Sequence, residues 1–123
     1  MSERRTTHVD VEGADLKLRL TWCDKMAALV GDQTVQLTAI RDVAVVPEPL
    51  RAISGVRSPG LAIPGITKVG VWRRHGRRTL VVVRRGQQAV RIEADGQRFD
   101  SYLIGVDDPI AAAARIRRSI HPL

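Results

Sequence analysis

Between Thr67 and Val106 the chain is cut into short apolar-rich runs by glycine-containing punctuation, and this spacing limits the possible folds more than any other feature. The runs are Thr67 to Arg74, Arg78 to Arg85, Gln88 to Ala94 and Arg98 to Val106. They are separated by His75-Gly76-Arg77, Gly86-Gln87 and Asp95-Gly96. Each run has strand length, and connections this short suit strands that run antiparallel to their neighbours. Asp95-Gly96 carries the strongest hairpin signal, because a type I′ turn needs positive φ at both central residues. The expectation for this half is an antiparallel meander.

The upstream half extends the β pattern. From Thr7 to Thr21, Leu16, Leu18 and Leu20 alternate with Lys17 and Arg19, the period of a half-buried strand. Glu12-Gly13-Ala14-Asp15 interrupts this stretch, as either a small hairpin or a bulge. Thr21 and Asp24 form a capping pair that opens a short helix near 22–30, with Gly31 as a left-handed stop. Trp22, Met26 and Leu29 are its expected core contacts, and Cys23 is expected to be buried beside Trp22. Thr34 to Leu37 and Ile40 to Val46 are further strands, and Pro47 and Pro49 end the second, since proline cannot donate to a ladder. At the other end, Asp107-Asp108-Pro109 opens a helix with a carboxylate cap and a proline in its first turn. Ile110, Ala113, Ile116 and Ile120 form its apolar arc and Arg115 and Arg118 its solvated side; Arg117 falls inside the arc, near the helix C-terminus where cations suit the dipole.

Composition bounds the rest. A chain of 123 residues with 44% hydrophobic content supports one buried core. Residues 1–5 read as a flexible tail and residues 6–121 as a single domain. Leu80-Val81-Val82-Val83 is the longest wholly apolar run in a strand-like stretch, far short of the roughly 20 residues of a membrane span. No apolar segment follows the charged N-terminus as in a secretory signal, and Cys23 is the one cysteine, so no internal disulfide forms. The expected location is cytoplasmic.

Gly55 to Ile66 has no regular period, yet it combines Leu, Ile and Val with Pro and Gly. A solvated linker would be polar, so these side chains cover the protein's own core, a lipid or a partner. Leu50, Ile53, Val56, Leu61 and Ile63, in a long loop 47–65, are the candidate partner contacts.

The order of about seven antiparallel strands followed by one amphipathic helix resembles the bacterial pleckstrin-homology-like family. The segment Gly55 to Trp72, the Asp95-Gly96 turn and Val106-Asp107-Asp108-Pro109 carry the resemblance, which covers about residues 7–120. It implies a mainly β fold with a C-terminal α-helix, in which two antiparallel sheets form a partly open barrel plugged by that helix. It also implies a non-catalytic scaffold for proteins, peptides or lipids. The basic pattern of the phosphoinositide-binding members is missing from Cys23 to Val30, where one lysine stands beside an acid, so inositol-phosphate binding does not carry over.

The formal charge of +7 invites a nucleic-acid or anionic-membrane reading. Lysine occurs only at 17, 25 and 68, while arginine is abundant, a bias that GC-rich coding would spread over any solvated surface. Arg73, Arg74, Arg77 and Arg78 converge on one hairpin tip and are the candidate anionic-ligand residues. Arg84 and Arg85 lie roughly 20 Å away, at the far end of the strand. Aromatic residues make up 3%, which leaves little for base stacking. His8, His75 and His121 lack metal-ligand spacing, and Asp107 and Asp108 are accounted for as helix caps. No nucleophile, base or metal set converges, so neither catalysis nor a cofactor is expected. The preferred reading is a non-enzymatic interaction module for a protein partner or homo-oligomer. Peripheral binding of an anionic membrane at its inner face, through the arginine tip, is the alternative; nucleic-acid binding ranks below both.

Overall fold

A computed structural model describes residues 7–28, 30–52, 56–63 and 67–120, with the backbone alone described at 27 and 56–63. The strands are β1 (His8–Glu12), β2 (Asp15–Arg19), β3 (Gln33–Gln36), β4 (Ile40–Val46), β5 (Val56–Ile63), β6 (Thr67–Arg74), β7 (Arg77–Arg84), β8 (Gln88–Ala94) and β9 (Ser101–Val106). The helices are α1 (Trp22–Ala28), α2 (Pro49–Ala52) and α3 (Pro109–Ile120). The fold is mainly β, in two sheets with a C-terminal helix.

β1, β2 and β3 form the smaller antiparallel sheet. The stretch from Thr7 to Thr21 is thus a hairpin turning at Gly13-Ala14, not one bulged strand. Pairing of Val9 with Leu18 and of Leu16 with Val35 puts these side chains on one buried face, as alternation requires. The larger sheet has the order β4-β8-β9-β7-β6, with β5 added along the outer edge of β6. Its inner face carries Val43, Val69, Val71, Leu80, Val82, Val90, Ile92 and Ile104, which share one core with the small sheet and with Ala112, Ala113 and Ile116 of α3. The described strands lie in two separate sheets and close no barrel.

The meander expectation fails at β9. This strand pairs antiparallel with β8 on one side and parallel with β7 on the other, so it lies between two strands that are consecutive in the chain. The short β7–β8 connection therefore spans a strand instead of joining neighbours. Gln87 makes this possible: its backbone N–H donates to the Arg84 carbonyl at 3.1 Å, and its side-chain Oε1 accepts from the Arg84 N–H at 3.2 Å. Gly105 gives the crossing room, because a Cβ there would stand 2.3 Å from Gln87 Oε1. Asp95 to Asp100 is a connection closed by Phe99, which is buried, and by Asp100, whose carboxylate accepts from the Arg78 N–H at 2.8 Å. The last strand thus begins at Ser101, not Arg98. The tight turn with two positive φ values is His75-Gly76 (52° and 76°); at Asp95-Gly96 only the glycine is left-handed.

β4 and β5 lie on opposite edges of the large sheet, and the chain leaving β4 begins a crossing of its outer face, where Val46 and Leu50 pack. The crossing explains a second apolar cluster on that face, formed by Trp72, Val81, Val83, Ala89 and Leu103, with Val46 and Leu50 packed against it. It also explains why Leu80 to Val83 are all buried: the strand is covered on both sides.

α3 begins as expected, with Asp108 Oδ1 accepting from the Ala111 N–H at 3.0 Å. Pro109, Ala112, Ala113 and Ile116 face inward and Ile120 is half-buried, but Ile110 is 70% exposed. Ile110 stands about 100° around the axis from Pro109, which takes the inward place in the first turn. Arg117 reaches sideways and donates to the Val43 carbonyl at 2.7 Å, covering part of the outer edge of β4.

Candidate interaction surfaces

The register of β6 and β7 pairs Arg73 with Arg78 and Arg74 with Arg77, so the four candidate arginines meet at one hairpin end. Arg77 and Arg78 are engaged by the fold. Arg77 pairs with Glu93 at 2.7 Å. Arg78 donates to the Arg98 carbonyl and places its guanidinium over Phe99 at 5.5 Å, and Arg98 approaches the same ring at 5.3 Å. Arg73 and Arg74 are exposed.

The apolar segment is not the loop expected over 47–65. It contains a helical turn, α2, and an edge strand, β5. Leu50 packs on the outer-face cluster, and the carbonyl of the same residue accepts from Lys68 Nζ at 2.8 Å. Val56 pairs with Arg73, Leu61 with Val69 and Ile63 with Thr67. The side chains of these three residues, and Ile53 altogether, lie outside the described residues. β5 escaped sequence reading because Pro59 and Gly60 resemble loop chemistry. A register shift between Arg57 and Gly60 accommodates them, and an edge strand tolerates proline.

α1 departs furthest from expectation. Thr21 Oγ1 accepts from the Asp24 N–H at 3.2 Å, so the cap forms. Gly31 supplies no left-handed stop; the helix closes through the Val30 N–H on the Lys25 carbonyl at 3.2 Å. The face turned inward carries Asp24 and Ala28, both fully buried. Trp22 and Met26, one turn apart on the opposite stripe, are 72% and 54% exposed, and Cys23 is exposed with them. All three had been expected inside. Asp24 decides the orientation. Arg84 donates to both of its carboxylate oxygens, Nη2 to Oδ1 at 2.5 Å and Nη1 to Oδ2 at 3.4 Å, and the Thr7 hydroxyl donates to it as well. Thr7 Oγ1 in turn accepts from the Thr21 N–H at 3.1 Å. Lys25 pairs with Asp32 at 3.4 Å, and Asp32 accepts from the Leu20 N–H at 2.8 Å. A helix of two turns with this many polar anchors is oriented by them, not by its larger apolar stripe.

The remaining candidates are dispersed. His8 Nε2 lies 3.0 Å from Asp10 Oδ2, His75 sits in the hairpin turn, and His121 is outside the described residues. Among the described residues no group of three His, Cys, Asp or Glu side chains could hold a metal ion, and no helix is long and apolar enough to cross a membrane. Burial pushes the Tyr102 phenol above its ordinary range, and the hydrogen bond and charge of Glu12 raise Arg19. Both shifts lead away from neutral pH. The surface that sequence reading missed is the Trp22–Met26 stripe; its signal was the placement of Asp24 and Ala28, one turn apart, on the other side. No family model, curated protein or solved structure matches the chain.

Proposed function

We propose that this chain is a non-enzymatic interaction module of the cytoplasm, binding a protein partner or its own copies through the outward stripe of α1. One observation carries the reading: the helix buries its aspartate and presents Trp22 and Met26 to solvent. Tryptophan is the side chain most enriched at energetic centres of interfaces, and methionine adapts to varied apolar partners. The pleckstrin-homology-like resemblance supports the class of function, a scaffold that offers surfaces. It does not supply the strand order, in which β9 runs parallel to β7. A second reading, peripheral binding of anionic lipid at the hairpin tip, draws on the exposure of Arg73 and Arg74.

The test compares the parent chain with a Trp22→Ser, Met26→Ser double variant, using sedimentation velocity over a range of concentrations and retention of proteins from native lysate. Self-association or specific retention that disappears in the variant, with far-ultraviolet circular dichroism and the thermal unfolding midpoint unchanged, supports the reading. Identical behaviour of the two proteins in both measurements overturns it.

A further inference from the structure

At the end of the large sheet opposite the arginine tip, α2 and the β7–β8 connection flank an open cleft of about 370 Å3. Its volume falls in the range of small-molecule sites. One wall is Pro47, Pro49 and Leu50, and it is held rigidly. Pro49 is buried, Leu50 packs on the outer-face cluster, and Lys68 fixes the Leu50 carbonyl. The facing wall is the turn from Arg84 to Gln88, shaped by Gly86 at φ 86°.

The polar groups of this cleft are mostly donors. Arg85 is exposed and forms no ion pair with a described residue. Arg51 approaches Glu48 only at 3.9 Å, with both side chains largely solvated, a contact worth little. Gln87 is immobilised through its Oε1, which leaves its side-chain NH2 without an acceptor among the described residues. Glu48 is the one carboxylate in the lining. Arg84 contributes a preset frame, since Asp24 already holds its guanidinium.

We infer that this cleft is a binding site for a small oxyanionic ligand, a carboxylate or phosphate group. Arg85 and Arg51 grip the anion, the Gln87 amide orients it, and the proline–leucine wall takes an apolar portion. A guanidinium fork matches the two oxygens of such a group and keeps its charge at every physiological pH. The site is independent of the α1 stripe and lies at the end of β7 away from the Arg73–Arg78 hairpin.

The experiment is a titration of the isotopically labelled full chain with succinate and, separately, inorganic phosphate, at constant ionic strength and with sodium chloride as the control. Amide shifts are followed by NMR. The expected result is saturable shifts of Gly86, Gln87 and Gln88, including the Gln87 side-chain amide, that chloride does not reproduce. The two arms identify the preferred oxyanion. Arg85→Ala should weaken binding about tenfold, Arg85→Lys should restore part of it, and Arg73→Ala, Arg74→Ala should leave it within about twofold. Absence of saturable shifts at 86–88 for both anions, or equal loss in the tip variant and in Arg85→Ala, would overturn the proposal. A preserved parental spectrum outside the cleft shows that Arg85→Ala still folds.

Discussion

The two longer helices of this chain begin alike and end up oriented by opposite rules. Each starts from a side-chain cap, Thr21 in α1 and Asp108 in α3. In α3 Ala112, Ala113 and Ile116 turn inward while Arg115 and Arg118 face water, as helical periodicity demands. In α1 the acid turns inward and the tryptophan faces water. Length accounts for part of the difference. Across its twelve residues α3 can bury several apolar side chains, and their summed burial outweighs any single polar contact. α1 is shorter, and the doubly bonded Asp24–Arg84 pair decides its rotation.

If the helices do obey different rules, substitutions should separate them. The largest effect is expected in α3: Ile116→Ala removes a side chain 1% exposed and should cost about 2–5 kcal/mol in denaturant unfolding. A loss below about 1 kcal/mol would show that α3 is not held by apolar burial. In α1 the corresponding residue is polar. Asp24→Ala strands the Arg84 guanidinium and the Thr7 hydroxyl, and should cost about 1–3 kcal/mol, less than a fully buried broken pair, because Arg84 is partly solvated. Were this variant as stable as the parent, the polar anchoring of α1 would be wrong.

Asp108→Ala should lower stability by about 1 kcal/mol through loss of the cap of α3, read most clearly as helix fraying in amide exchange. The smallest effects fall on the exposed apolar residues. Trp22→Ala and Ile110→Ala should each change stability by no more than about 0.5 kcal/mol, although one was assigned to the core by helical pattern and the other by apolar arc. A larger loss for Trp22→Ala would mean that α1 sits with its apolar stripe against the fold. Trp22 also gives a direct reading: with Trp72 buried, a water-soluble quencher should act on Trp22 fluorescence first.

The same contrast marks what could be read from the sequence. Alternation and turn residues located β6, β7 and β8 nearly to the residue, because those signals are local. Asp108-Pro109 located the start of α3 for the same reason. The insertion of β9 was illegible, since it depends on Gln87 bridging a turn and on Gly105 leaving space beneath it. The facing of α1 was only hinted at by Asp24 and Ala28 one turn apart, because the anchor that decides it lies 60 residues away. Among the candidate contacts, the four arginines were placed together correctly by hairpin logic. That Arg77 and Arg78 are taken up by Glu93 and Phe99 depends on strand β8 and the connection after it and left no trace near the hairpin.

The seat of β9 has a consequence for how the molecule is made. This strand follows both of its flanking partners in the chain, so on the ribosome β7 and β8 emerge before the piece that joins them. Until Ser101–Val106 is released, each offers an unsatisfied inner border to any extended peptide nearby, including a neighbouring nascent chain. Chains released early at Asp100 should therefore be captured by a holding chaperone or precipitate, whereas chains that include α3 should escape both fates.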